Sequence, residues 1–252
     1  MPRVQRSSTV DLITLELRNA IYDGGLLPGT PLPDLEIARQ LGVSRGPFRE
    51  SAQRLVQEGL LVARPGQGLR VATVGMDQLE ELYEARLAIE GAALRRLARE
   101  PDPECRARRL EDSRTVLRRV LVACEQAEVL ADQAEQEAMA RAIGDADLDF
   151  HFEMVRAAGN QRLTRCMSTL VIETRMASFG NPLGYVVRTD MHGPHSKRLE
   201  LVLKGDGEGA VRALREHFSG TVHRLTGHPE AGVRTMAAEL SHDELELGPI
   251  GG

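Results

Sequence analysis

Between Leu41 and Gly68 the chain reads LGVSRGPFRESAQRLVQEGLLVARPGQG, and few folds can accommodate that order of signals. It closes one short apolar-periodic segment (Leu35, Ile37, Ala38, Leu41), turns at Gly42, and opens a second helix for which Ser44 is a good N-cap. Pro47 falls in the first turn of that helix, where a missing N–H costs nothing because those donors have no intrahelical partner. Phe48, Ala52, Leu55 and Val56 line one face, while Arg45 and Arg49, four apart, share another near the helix N-terminus. After Glu58-Gly59 come Leu60-Leu61-Val62 and Leu69-Arg70-Val71, two short strands around Pro65-Gly66-Gln67-Gly68. Guanidinium forks at the leading end of a helix bond guanine O6 and N7 or clamp phosphates, and a glycine-rich hairpin tip lies close against a sugar-phosphate backbone.

Charge is consistent with this once it is divided. The net charge of −5 splits into +2 for residues 1–75, with nine arginines against seven acids, and therefore −7 for the remainder. The basic excess sits on the part expected to meet phosphate. The 252 residues leave room for two domains, and 42% hydrophobic content with 3% aromatics and no Trp favours helices over sheets. Cys105, Cys124 and Cys166 are scattered with no C-x-x-C pair, so they read as buried thiols of a reducing cytoplasm. No apolar run reaches the ~18 residues of a membrane span, and MPRVQRSSTV lacks the apolar core of a signal peptide. The expectation is a soluble cytoplasmic protein with no membrane partner.

The segments GVSRGPFRE, RLVQEGLL and PGQG resemble the winged helix-turn-helix of GntR-type bacterial transcription regulators over residues 8–74. The resemblance implies that Ser44, Arg45, Gly46, Pro47 and Arg49 approach DNA, with Gly66, Gln67 and Gly68 at the wing tip. One departure stands out. Many members carry an arginine within a Ser-Glu-Arg-Glu-Leu-Ala run, where this chain has Leu35 within Pro33-Asp34-Leu35-Glu36-Ile37-Ala38.

Upstream, Val10 to Tyr22 reads as an amphipathic helix with Leu12, Leu15, Leu17 and Ile21 mostly inward, ended by Gly24-Gly25. Val74-Gly75-Met76 reads as a linker and Asp77 as an N-cap. Helical segments are then expected near 77–99, 103–124, 126–142, 145–158, 161–178, 188–204 and 208–226, with breaks that include Gly144, Gly159-Asn160, Gly180 to Gly184 and Gly205 to Gly209. The fold class expected is mainly α: an N-terminal winged helix-turn-helix (1–75), a C-terminal antiparallel helical bundle (76–227), and an acidic, poorly ordered tail (228–252).

A second constellation lies in the helical region. Asp147 and His151 are four apart and point the same way from one helix. On a single continuous helix His195 and His217 would stand roughly 33 Å apart at ~1.5 Å per residue. The glycine run centred on Asp206 lies 11 residues from each, so two antiparallel helices hinged there bring the imidazoles level. One carboxylate and three imidazoles suit a divalent metal such as Zn, Ni, Mn or Fe. His192 is a weaker competitor, Asp149 alternates away from Asp147, and His223 lies off the face of His217. Arg86 stands either in the bundle interior or in an i,i+4 pair with Glu90. Asn160 reads as a left-handed helix terminus with Gly159, a ligand contact being the other reading.

Asp147-Leu-Asp-Phe-His151, Ala158-Gly159-Asn160, His195, His217 and the stretch from Leu82 to Glu90 resemble the effector domain of the FadR subgroup, over residues 77–226. The resemblance implies a metal within the bundle of an FCD-like effector domain; because a single winged module contacts only one half-site, a homodimer that reads a palindromic operator on double-stranded DNA is expected. A small carboxylate would be the effector, contacted by Arg86 and Asn160, and repression relieved by that ligand is the expected sense. Rival readings are a metal-dependent enzyme using the same four residues, and a metal that is purely structural or is itself the signal.

Overall fold

The computed structural model describes residues 8–66, 68–127, 132–179 and 191–226. Helix α1 (Thr9–Tyr22) begins with a reciprocal cap: the Ser8 hydroxyl accepts from the Asp11 amide at 3.1 Å and the Asp11 carboxylate accepts from the Ser8 amide at 3.0 Å. A short α2 (Asp34–Gln40), a turn at Gly42 with φ +66°, and α3 (Arg45–Gln57) follow. The hairpin β1 (Leu61–Arg64) and β2 (Gly68–Val71) pairs antiparallel from Leu61↔Val71 to Arg64↔Gly68. Ile13, Leu17, Ile21, Leu32, Phe48, Leu55, Leu61 and Val71 close this head into one core. This is the winged helix-turn-helix arrangement that the order of signals required.

Inward apolar residues were overcounted by periodicity in two places. Leu12, Leu15 and Leu35 are 57%, 53% and 70% exposed, because Ile13, Leu17, Ile21 and Ala38 already fill the narrow faces that short helices turn to the core. Of the three cysteines, only Cys124 is buried; Cys105 is intermediate and Cys166 exposed, and all are free thiols.

A 3₁₀ turn (Met76–Gln78) takes the place expected of an Asp77 cap and leads into α4 (Leu79–Ala98). Then come α5 (Pro103–Arg109), α6 (Glu111–Ala127), α7 (Gln133–Ala157), α8 (Gln161–Phe179), α9 (His192–Leu203) and α10 (Gly207–Thr226). They form an antiparallel bundle in which α4 lies against α7, α8, α9 and α10, and α6 packs on α7. The segment expected over 103–124 divides at Leu110, whose side chain is fully buried while its backbone departs from helical geometry. Gly144, by contrast, breaks nothing. Ile143, Ala146 and Leu148 around it are buried, and their packing outweighs the ~1 kcal/mol that an interior glycine costs a helix. A continuous α7 then holds Asp147 and His151 rigidly on one face. The expected break at 180–184, the start of the next helix before Met191, and the tail from residue 228 lie outside the described residues, of which no helix is long and apolar enough to cross a membrane.

Helix α8 belongs to both halves. Its Met167 and Val171 sit in the bundle core, while Ile172 and Met176 complete the core of the head.

Candidate metal centre and nucleic-acid interface

On the head, Ser44 occupies the N-cap of α3 but its hydroxyl makes no capping bond. Arg45, Gly46 and Arg49 are exposed along the leading half of the helix, while Phe48, Ser51, Ala52 and Leu55 face inward. Gly66 and Gly68 adopt φ of +74° and +73°, and a Cβ on either would meet nothing within 4 Å, so the wing tip is open. Gln67 lies outside the described residues. The head thus presents two exposed arginines and two glycines with open space around them at the hairpin.

The bundle assembles the second constellation from three helices. Helix α7 supplies Asp147 and His151, α9 supplies His195, and α10 supplies His217, with one ligand atom of each within 4.8 Å of the others. The three imidazole centroids form a near-equilateral triangle with sides of 5.2, 5.3 and 5.5 Å. The hinge at Lys204–Asp206 returns α10 along α9, as the equal spacing from Asp206 requires. Asp149 is turned aside to Arg119 at 3.1 Å, His192 stays outside the cluster beside Ser196, and His223 is exposed.

Second partners of the rings decide what the cluster can bind. His151 donates Nδ1–H to the Glu90 carboxylate, and His195 donates Nδ1–H to the Met191 carbonyl at 2.5 Å. Each neutral ring therefore turns the lone pair of its Nε2 inward. His195 Nε2 then lies 2.6 Å from Asp147 Oδ1, and His151 Nε2 lies 3.6 Å from the same oxygen. Lone pair facing lone pair at 2.6 Å is repulsive unless a cation stands between. Burial disfavours the extra proton that would bridge them. Burial, aided by the Arg198 guanidinium, pushes the His195 pKa down to about 4, and the same two causes hold His217 well below the ordinary range. Burial also lowers His151, although Glu90 and Asp147 oppose it. For Asp147 burial acts upward while the facing imidazoles act downward, and the balance lies below the ordinary carboxylate range. The donor set, one carboxylate oxygen and three imidazoles of which two have their tautomers set by a second partner, fits a divalent cation of borderline softness.

Two residues of this site carry signals that a search for ligands alone passes over. Glu90 and Arg198 are both nearly fully buried: Glu90 bonds His151 and Arg86, and Arg198 Nη2 donates toward His151 Nε2 at 3.4 Å. Both sit on apolar stripes, Glu90 in the series Leu79, Leu82, Tyr83, Arg86, Glu90, Leu94, Leu97, and Arg198 in the series His195, Arg198, Leu199, Val202. A charge on a stripe of that period is buried by geometry and must find a partner.

Arg86 meets both of its alternatives at once. It is buried, donates to Glu90 at 2.9 Å and lies over the Phe218 ring at 4.6 Å, and its Nη2 has no hydrogen-bond partner. A cavity of ≈ 140 Å³ opens beside it, lined among others by Gly144, Asp147, Thr174, Arg175 and His217. Asn160 is not brought there. Gly159 alone takes the left-handed conformation, with φ +67°, and Asn160 Oδ1 caps α8 by accepting from the amides of Arg162 at 3.0 Å and Leu163 at 3.4 Å.

Arg175 ties the cavity to the head. It ion-pairs with Asp145, two residues before Asp147, at 2.5 Å and donates to the Tyr22 carbonyl at the end of α1 at 3.3 Å. Beside it the Phe179 ring lies against the turn after α1, 2.7 Å from where a Cβ on Gly24 would stand.

Comparison with known proteins agrees with both halves. The profile described as bacterial regulatory proteins, gntR family, matches residues 9–71, and that of the FCD domain matches residues 81–220. The chain is 31% identical over 231 residues, 90% of its length and 91% of the other's, to a probable D-xylose utilization operon transcriptional repressor of Paenarthrobacter nicotinovorans. Over 82 residues, 32% of this chain and 48% of the relative, it is 43% identical to an uncharacterized HTH-type transcriptional regulator of Agrobacterium vitis. Among solved structures, E. coli McbR/YncC superposes with a TM-score of 0.68 at 21% identity, covering 88% of this chain and 99% of that one, a likeness of fold.

Proposed function

Because the chain belongs to the GntR family of bacterial regulatory proteins with an FCD domain, and is therefore a transcription regulator and not an enzyme, we propose that its bundle is a metal-centred sensor of a small carboxylate. Members of this family bind DNA operators and typically act as dimers. In this reading residues 1–75 are the DNA-binding head and 76–227 the effector and dimerisation domain, and two heads related by a dyad read a palindromic operator. Ser44, Arg45, Gly46, Pro47 and Arg49 meet the major groove, and Gly66 to Gly68 lie along the backbone. The repressor name of the relative from Paenarthrobacter nicotinovorans favours repression that the effector relieves.

Asp147, His151, His195 and His217 would hold the metal. Glu90 and the Met191 carbonyl set the tautomers of two rings. A bound divalent cation supplies a Lewis-acidic charge to which a carboxylate oxygen binds. Arg86 faces the same cavity with a buried, unpartnered Nη2 and would take a second carboxylate oxygen. The observation that carries the reading is the convergence of Asp147, His151, His195 and His217 beside a cavity that Asp147, His217 and that guanidinium all line.

Helix α8 would transmit the change. Arg86 Nη1 donates to Thr174 at 3.5 Å, and the neighbouring Arg175 grips the end of α1, so a shift around the ligand reaches the head through one rigid element. A coupling of ~1–3 kcal/mol, some 5–150-fold in operator affinity, is the usual scale.

The test is elemental analysis of the purified protein beside a His195→Ala/His217→Ala variant, with binding titrations on its own upstream DNA in the presence of small carboxylates. Stoichiometric metal in the parent alone, and carboxylate-dependent release of DNA by the parent alone, is the expected result. Equal metal content removes the site. Release that follows metal concentration without any carboxylate replaces the organic effector with the metal itself.

A further inference from the structure

Three arginines line the outer side of α3, and their surroundings sort them. Arg54 is committed to acids on both ends, with Nη1 donating to Asp11 at 2.7 Å and Nη2 to Glu50 at 2.8 Å. Arg45 is exposed in the first turn and stands outside the ion pairs of the head among the described residues. Arg49 is held in a third way. Among the described residues only its Nε–H donates, to Asp34 Oδ2 at 2.6 Å, and Asp34 is the first residue of α2.

The choice of nitrogen matters. A guanidinium gripped at Nε loses rotation about its last bonds and keeps its far edge, Nη1 and Nη2, for another partner. That edge carries two parallel donors, and guanine shows two adjacent acceptors, O6 and N7, to the major groove. Without the grip the same arginine would sample many rotamers and settle on any phosphate as readily as on a base. Asp34 remains 30% exposed on its side chain, so its negative charge also stands near the DNA-facing surface, where it repels phosphate. One residue thereby favours a particular base and disfavours the backbone.

We infer that Asp34 is a positioning residue that aims Arg49 at a guanine in each half-site. The inference rests on α3 being the helix that enters the groove. It makes a prediction with two signs: removal of Asp34 lowers discrimination and leaves or raises affinity for unrelated DNA. A purely structural residue would lower both.

The experiment selects bound sequences from a pool of random duplexes with the full-length protein, then compares Asp34→Ala, Asp34→Asn and Arg49→Ala on the recovered site and on random-sequence duplex. In the parent, one symmetry-related G·C position should carry a preference on the scale of a bidentate contact, ~5–150-fold. Arg49→Ala should abolish it. Asp34→Ala should cut it to less than about three-fold while every other position keeps its preference and random duplex binds as well or better. Asp34→Asn, which keeps an acceptor for Nε but not the charge, should fall between. If Asp34→Ala retains the guanine preference that Arg49→Ala loses, the positioning role is wrong and the helix assignment stands. If Arg49→Ala changes no position, the helix assignment itself fails. An even loss over all positions and over random duplex makes Asp34 merely structural and overturns the inference.

Discussion

Acidifying the metal-free protein from pH 7 to pH 5 should cost it stability through His195 in particular. The ring is fully buried, with Nδ1–H committed to the Met191 carbonyl and the Arg198 guanidinium close by, and its pKa falls to about 4. In the unfolded chain it titrates near 6.5. The folded ring thus binds a proton less readily than the unfolded one. Stability that is complete above about pH 6.5 drains away as the pH falls toward 4. At ~1.4 kcal/mol per pH unit the whole displacement is about 3 kcal/mol, and integrating the two titrations gives about 2 kcal/mol of it between pH 7 and pH 5. Against a typical stability of ~5–15 kcal/mol that is a large fraction. Burial lowers His217 and His151 as well, so the parent curve should be steeper still. Urea unfolding of chelator-treated protein at pH 7, 6 and 5, beside a His195→Gln variant that cannot titrate there, measures the term directly. The variant should lose about 2 kcal/mol less than the parent over that interval. Identical pH dependence in the two would refute the neutral-ring reasoning, and with it the claim that lone pairs meet at the centre of the cluster.

Metal addition should raise the melting temperature of the parent, by the equivalent of about 4 kcal/mol at a thousandfold excess over Kd, and leave His195→Ala/His217→Ala unmoved in calorimetry. Arg175→Met removes a donor to the Tyr22 carbonyl and the Asp145 ion pair; about 2 kcal/mol of stability should go, measured in urea, together with most of the effector response in a DNA titration. Gly24→Ala forces a side chain into φ +79° and onto the Phe179 ring, and should lower stability by about 1–2 kcal/mol in the same assay. Arg45→Ala and Arg49→Ala should each weaken operator binding in a gel-shift titration; unchanged affinity for both would remove α3 from the interface.

Much of the molecule is legible in its sequence. Gly42 and Pro47 dictate a turn and a helix start by local backbone chemistry alone, with Ser44 at the N-cap position though without a capping bond, and Gly66 and Gly68 dictate the hairpin tip, so the head followed from short-range rules. The meeting of His195 with His217 was also readable, because a glycine hinge midway between two residues imposes equal lengths on the antiparallel helices. Where short-range rules misled, packing was the reason. Gly144 reads as a break, yet its buried neighbours keep α7 continuous, and Leu12, Leu15 and Leu35 fit an inward period on helices whose buried face has no room for them.

What the linear chain determined is therefore the inventory: a winged head, a helical bundle, and one aspartate and three histidines at commensurate spacings. What tertiary structure alone decided is how those groups are charged and tied together. Glu90 is 61 residues from His151 and the Met191 carbonyl is a backbone group, so no pattern could announce that they fix the tautomers. The same holds for the grip of Asp34 on Arg49 and for Arg175 joining α7, α8 and α1. These are contacts between distant segments. Their strength comes from burial and from the orientation of single polar atoms, neither of which exists until the helices have packed.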